Sequence, residues 1–107
     1  MPSSKGYLDF ILDQLSELDI GHRAMMGEYL LYIGGRLFGG IYDDRLLVKP
    51  IPAALELIPD AAREAPYPGA KEMLLVDRGD DSEFLRRLVT EMYDGLPEVR
   101  KKDEVWG

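Results

Sequence analysis

Cysteine is absent from these 107 residues, and histidine occurs once. Without thiols the chain can form no disulfide framework, no thiolate nucleophile and no Cys-based zinc or iron–sulfur site. Apolar runs of roughly 18 residues are also missing, which excludes a membrane-spanning helix. The opening Met1–Lys5 leads into an amphipathic stretch and not an apolar one, so we expect no signal peptide and a cytoplasmic protein.

The sequence has fewer basic residues than acidic ones. The chain carries 13 Lys and Arg against 20 Asp and Glu, a net charge of −7, which opposes attraction to phosphate backbones. Its basic clusters, Arg86-Arg87 and Arg100-Lys101-Lys102, are interpreted as solvated charge, because no segment has the composition of a DNA-recognition helix. We therefore expect no direct nucleic-acid binding and no membrane association.

The length corresponds to a single domain, which we assign to residues 1–97 with a charged tail over residues 98–107. Apolar periodicity predicts an α+β fold, in which helices pack on one face of an antiparallel β-meander. The turn pairs Gly34-Gly35 and Asp43-Asp44 predict two-residue hairpins. The predicted elements, in the order α-β(3–4)-α-β-α, are a helix over 4–18 ended by Gly21, strands over 23–26, 29–33, 36–42 and 45–49, a short helix over 53–58, an irregular proline-rich connection over 59–71, a strand over 72–76, and a helix capped by Asp80 and Glu83 and ended by Gly95.

Two-residue turns fix the register, and the register predicts which side chains share a face of the sheet. One face is almost purely apolar and is predicted to be the core face: Leu30, Tyr32, Leu37, Gly39, Ile41, Leu46 and Val48. The other face mixes apolar and basic residues: Tyr29, Leu31, Ile33, Arg36, Phe38, Gly40, Tyr42, Arg45, Leu47 and Lys49. Such a surface is typical of interfaces. Two alternatives stay open: a helix or the proline-rich connection covers this face, or a bulge at Gly39-Gly40 exchanges part of the assignment.

No constellation of catalytic or metal-ligating residues is found. His22 lacks a nearby serine or threonine at a spacing typical of nucleophilic catalysis, and we interpret it as a local hydrogen-bonding residue. Asp43-Asp44 is interpreted as a turn and the paired glycines as hairpin glycines, because no calcium loop or phosphate loop surrounds them. Met25-Met26 is interpreted as edge packing. We expect no enzyme activity, no cofactor and no metal.

Residues 23–50 resemble the N-terminal domain of the TfoX/Sxy family of bacterial competence regulators. The resemblance is carried by Met26-Gly27-Glu28-Tyr29, Leu31-Tyr32, Phe38-Gly39-Gly40-Ile41, Asp43-Asp44 and Val48-Lys49-Pro50, with Tyr7-Leu8 and Gly69-Ala70-Lys71-Glu72-Met73 outside this stretch. It extends over residues 4–96 and implies a fold similar to secretion chaperones. It also implies a non-enzymatic role in transcription with the cyclic-AMP receptor protein. The DNA-linked activity of the second, helical domain of full-length regulators is not expected here, since the sequence stops at Gly107.

The functional hypothesis is a protein-interaction module that regulates transcription or DNA-uptake competence through protein partners, alone or as a homodimer. Its predicted partner-binding residues are Tyr29, Leu31, Phe38, Tyr42, Arg45 and Lys49. The alternative is a small-ligand-binding domain or enzyme with a pocket near Arg23, Glu28 and Lys49.

Overall fold

The computed structural model describes residues 5–78 and 80–96. Within these residues the chain forms three helices and six strands: α1 (Lys5–Gln14), β1 (Ile20–Met25), β2 (Glu28–Ile33), β3 (Arg36–Tyr42), β4 (Arg45–Val48), α2 (Pro52–Leu57), β5 (Arg63–Glu64), β6 (Met73–Val76) and α3 (Ser82–Tyr93). The strands build one antiparallel sheet in the order β1-β2-β3-β4-β6-β5. The predicted α+β class is confirmed. The predicted tail, residues 98–107, lies outside the described residues.

Both predicted hairpin turns are present. Gly34 and Gly35 have φ angles of +54° and +83°, and the turn pairs Ile33 with Arg36 as the spacing predicts. Asp43 and Asp44, with φ angles of +53° and +56°, occupy the same left-handed region, which aspartate tolerates better than most residues. These turns order β2, β3 and β4 into a meander.

Three predictions of local structure before α3 were wrong. Helix α1 ends at Gln14 rather than residue 18, because the next turn tightens into i→i−3 bonds such as Leu18 N–H to Leu15 C=O (3.0 Å). The earlier end leaves Gly21 inside β1, without a positive φ, instead of at a helix terminus. The proline-rich connection contains the two-residue strand β5, which pairs with β6.

The last helix is held at both ends by side chains. Asp81, and not the predicted pair Asp80 and Glu83, caps the start of α3 by accepting the N–H of Phe84 at 3.0 Å. At the other end the Arg36 guanidinium donates to the carbonyls of Tyr93 (3.0 Å) and Leu96 (3.2 Å). It also lies 4.2 Å from the centre of the Tyr93 ring. A cation at a helix C-terminus is favourable, so Arg36 fastens the β2–β3 turn to α3.

A β-bulge interrupts the pairing of β2 with β3. Leu31 pairs with Gly39 while Tyr32 pairs with Leu37, so Phe38 is the extra residue. Gly39 belongs here for steric reasons: a Cβ added to it would stand 2.1 Å from the Leu47 carbonyl oxygen. The bulge rotates the chain between Leu37 and Gly39 and decides which side chains reach the core.

The faces of the sheet are therefore not divided as the simple register predicts. All three helices join one buried cluster with sheet residues from a single face: Leu31, Ile33, Phe38, Ile41, Leu46, Val48, Leu74 and Val76. Leu30, Tyr32 and Leu37, assigned to the core face by the sequence, lie on the opposite face. A bulge does exchange part of the assignment, as one open alternative predicts, but it lies at Phe38 and not at Gly39-Gly40, and the unbulged assignment is wrong.

Candidate functional site

The sheet face turned away from the helices is the candidate site. We call it the helix-free face; by register it carries Arg23, Met25, Glu28, Leu30, Tyr32, Leu37, Gly40, Tyr42, Arg45, Leu47, Met73 and Leu75. Leu47 is fully buried and Tyr42 is only 5% exposed, yet neither belongs to the core cluster under the helices. The proline-rich connection therefore covers part of this face, while Leu30, Tyr32 and Leu37 stay half-buried.

A cleft of about 660 Å³ lies between the helix-free face and this connection. Met25, Leu30, Leu37 and Met73 line it from the sheet, and Pro66, Tyr67 and Ala70 line it from the connection. Lys49, Lys71 and Glu72 supply charged groups to the lining. The volume falls within the range of roughly 300–1,000 Å³ that is usual for small-molecule sites. A mainly apolar lining with few charged groups is also typical of such sites.

Tyr42 forms part of the cleft lining at the centre of the sheet. Its ring lies across Gly40, since a Cβ on that glycine would be 2.7 Å from the ring carbon Cε2. Burial raises the pKa of the Tyr42 phenol above its ordinary value, helped by the nearby Tyr67 and Glu28. A tyrosine hydroxyl is protonated at neutral pH in any case and can donate a hydrogen bond; the raised pKa extends this to more alkaline conditions.

The β1–β2 hairpin forms the outer border of the helix-free face. β1 is an edge strand of the sheet, and every residue from Gly21 to Met25 is exposed. Its hairpin turn consists of Met26 and Gly27, with φ angles of +52° and +87°. Met26 is 96% exposed, so it does not provide the edge packing expected from the sequence. An apolar side chain that is both exposed and held in a left-handed conformation contributes little to folding.

Three of the six predicted partner-binding residues lie on the helix-covered side. Leu31 and Phe38 have no exposed surface and belong to the core. Tyr29 is half-buried, packs against the same core and makes an edge-on ring contact with His22 at 6.4 Å. The assignment of all six residues to one face is therefore wrong, because the bulge at Phe38 reverses the orientation of the chain before it.

The other three predicted residues do lie on or beside the helix-free face. Tyr42 and Lys49 line the cleft. Arg45 forms an ion pair with Glu64 of β5, and its Nε donates to the Tyr42 carbonyl at 3.1 Å. This arginine therefore ties the β5 end of the connection to the sheet, beside the cleft rather than in it.

The alternative pocket at Arg23, Glu28 and Lys49 is formed only in part. Lys49 lines the cleft, whereas Arg23 and Glu28 are not among its lining residues. Arg23 is exposed on β1, and the Glu28 carboxylate accepts the backbone N–H of Asp43 at 2.8 Å. Glu28 thereby supports the left-handed turn at Asp43.

Several residues of the site were not identified from the sequence. Leu30 and Leu37 were assigned to the core, and Tyr67 and Lys71 fell in a stretch interpreted as irregular. A signal for Met26 was present, because Met26-Gly27 stands where a hairpin turn normally has Asn-Gly or Asp-Gly. No periodic signal places Tyr67 opposite Leu37, since the path of a loop over a sheet depends on tertiary packing.

Comparison with known proteins gives one informative similarity. The chain is 35% identical over 78 residues to the "Uncharacterized 12.7 kDa protein in trpE 5'region" of Spirochaeta aurantia. The aligned region covers 72% of this chain and 68% of that relative. No protein-family model matches the chain, and no solved structure matches it. None of the helices within residues 5–78 and 80–96 has the length and apolar character needed to cross a membrane.

Proposed function

This chain belongs to the family of the 12.7 kDa Spirochaeta aurantia protein, and we propose that it is a non-enzymatic protein-interaction module. Its partner is an extended segment of another protein, which pairs with the edge of β1 and contacts the β1–β2 turn. The observation that carries the proposal is Met26, exposed and left-handed at the end of an exposed edge strand.

The backbone of β1 supports this mode of binding. The Gly34 N–H donates to the Asp19 carbonyl at 2.9 Å, so Asp19 and Gly34 form a bonded pair at one end of the β1–β2 ladder. Bonded and non-bonded pairs alternate in antiparallel sheets, so Gly21, Arg23 and Met25 bond toward β2. The N–H groups of His22 and Ala24 then point outward, where a partner strand would accept them.

Charge and apolar surface define the partner segment further. Residues 20–27 include His22 and Arg23 but no carboxylate, although the chain as a whole has a net charge of −7. Met25 and Met26 add flexible apolar surface, which adapts well to partner side chains. We propose a partner segment that combines acidic and apolar residues.

The regulatory part of the proposal rests on the resemblance to the TfoX/Sxy N-terminal domain. It assigns the module to a cytoplasmic regulator of transcription or DNA-uptake competence, with the transcription machinery or the cyclic-AMP receptor protein as partner class. The antiparallel α+β fold agrees with that resemblance.

The test is quantitative affinity capture from the source organism with wild type and Ala24→Pro. Proline at residue 24 removes an outward N–H and keeps the β1–β2 ladder, and edge strands tolerate proline. Asp13→Ala, an exposed change on α1, is the matched control. We expect one protein to be captured by wild type and the control, and lost with Ala24→Pro.

Three results would contradict the proposal or a part of it. Equal capture by Ala24→Pro, with an unchanged melting temperature, would exclude β1 as the contact. Recovery of a second copy of this chain alone, by mass and stoichiometry, would replace the partner protein with a homodimer. A captured protein with no connection to transcription would refute the regulatory assignment and leave the binding mode intact.

A further inference from the structure

The cleft has an architecture that the proposed interaction along β1 does not use. Five apolar residues of its lining lie outside the core cluster under the helices: Leu30, Leu37, Pro66, Tyr67 and Met73. A hydrophobic surface that is shaped into a cleft of about 660 Å³, and left open, is typical of a site for a small apolar molecule.

The charged residues that line the cleft indicate which class of apolar molecule it would bind. Lys49 and Lys71 both line the cleft, on a chain with 20 acidic residues. Within residues 5–78 and 80–96, no carboxylate forms an ion pair with either ammonium group, whereas Lys5, Arg45, Arg78, Arg86 and Arg87 are each paired with one. Glu72 offsets one of the two charges, which leaves the lining with a net positive charge.

Hydrogen-bond donors reinforce the preference for an anion. Tyr42 lines the same cleft, and its phenol, like any tyrosine with a pKa of about 10 or above, is neutral at physiological pH. A lysine ammonium and a neutral phenol are both donors, and charge-assisted bonds to a carboxylate are stronger than bonds between neutral groups. A neutral apolar molecule would leave these donors unused.

We infer that the cleft binds a small amphipathic carboxylate, with the acyl or aromatic body against Leu37, Tyr67 and Met73 and the carboxylate at Lys49 and Lys71. The size of the cleft favours a small molecule over a folded partner surface, and the acidic chain disfavours nucleic acid. This inference is independent of the proposed function, because the residues assigned to the ligand (Leu37, Tyr67, Met73, Lys49 and Lys71) take no part in the proposed interaction along β1.

Isothermal titration calorimetry with decanoate as the probe tests the inference on the full chain. Decanol, which has the same chain length without the charge, is the matched probe, and both are kept below the concentration at which decanoate forms micelles. We expect saturable 1:1 binding of decanoate and binding of decanol that is weaker by about tenfold.

Variants locate the binding. Lys49→Met/Lys71→Met keeps the apolar stems and is expected to weaken decanoate binding by about tenfold or more. Lys5→Met removes one charge at an exposed site on α1 and should leave binding unchanged. Leu37→Asp should abolish it, and Ala24→Pro should not change it, which separates this inference from the interaction along β1.

Each opposing result overturns the inference. The inference is overturned if the wild-type chain shows no saturable binding of decanoate. It is also overturned if the wild-type chain binds decanoate and decanol with equal affinity, or if wild type and Lys49→Met/Lys71→Met bind decanoate with equal affinity. Amide shifts in two-dimensional NMR guard against a folding artefact in the variants. When decanoate is titrated into wild type, the amide shift changes should concentrate at Leu30, Leu37, Lys49 and Lys71. Changes confined to the helices would place the ligand elsewhere.

Discussion

The two faces of the sheet are built from similar residues but differ in how deeply their side chains are buried. Beneath the helices, Leu31, Phe38, Ile41 and Leu46 are almost completely buried. On the helix-free face, Leu30, Tyr32 and Leu37 remain half-buried beside a cleft, and the bordering hairpin exposes Met26. Apolar composition alone therefore does not identify a core. What covers a face decides whether its side chains stabilise the fold or stay accessible to ligands.

The largest expected effect compares two neighbours across the bulge. Phe38→Ala should lower the free energy of unfolding by about 3–5 kcal/mol, because it empties a fully buried site. Leu37→Ala, one residue away on the helix-free face, should cost about 1 kcal/mol or less. Urea denaturation followed by circular dichroism measures both. Similar losses for the two variants would show that both faces are core.

A second comparison uses glycines at the centre and the edge of the sheet. Gly39→Ala should destabilise the fold by about 1–3 kcal/mol, because the new Cβ meets the Leu47 carbonyl. Gly21→Ala should be neutral or stabilise by about 0.5 kcal/mol, since nothing lies within 4 Å of a Cβ there and φ is not positive. Thermal unfolding checks the pair. Destabilisation by Gly21→Ala would mean that β1 packs more tightly than its exposure shows.

A third prediction concerns a conflict between stability and binding at the hairpin turn. Met26→Asn should raise the free energy of unfolding by about 0.5–1 kcal/mol, because asparagine adopts the left-handed conformation more readily. The same change should weaken partner capture, since the exposed apolar side chain is lost. Retained capture, at any stability, would remove Met26 from the contact.

The smallest expected effect appears at high pH. Burial raises the pKa of Tyr42, so the folded state favours the protonated phenol. The resulting stability is fully present below the unfolded pKa of about 10 and is lost as the pH rises through the higher folded pKa. Urea midpoints measured from pH 8 to 11 should fall more steeply for wild type than for Tyr42→Phe. Parallel curves would contradict the burial of the phenol.

The two hairpin turns of this molecule could be predicted from local sequence. Gly34-Gly35 and Asp43-Asp44 determine their turns through backbone conformation, and the pairs Ile33–Arg36 and Tyr42–Arg45 follow from them. The faces could not be assigned with the same certainty. One extra residue at Phe38 reverses the faces assigned to β2 and to Arg36 and Leu37, and the neighbouring Gly39 lies in a close approach to Leu47 that exists only in three dimensions.

The candidate site was predictable to a lesser extent than the fold. Tyr42 and Lys49 were identified because they follow the bulge, where the simple alternation is correct. Tyr29, Leu31 and Phe38 precede Gly39 and were placed on the wrong side. The cleft itself depends on how the connection from Pro59 to Glu72 crosses the sheet, which no periodicity records.

Photo-cross-linking in the source organism at two exposed positions tests most directly whether the β1–β2 hairpin binds a partner. A photoreactive phenylalanine analogue replaces Met26, beside the helix-free face, or Glu56, which is exposed on α2. We predict a covalent adduct with one other protein from position 26 and none from position 56. Adducts from position 56 alone, or none from position 26, would show that the hairpin turn and the edge of β1 are not the binding surface.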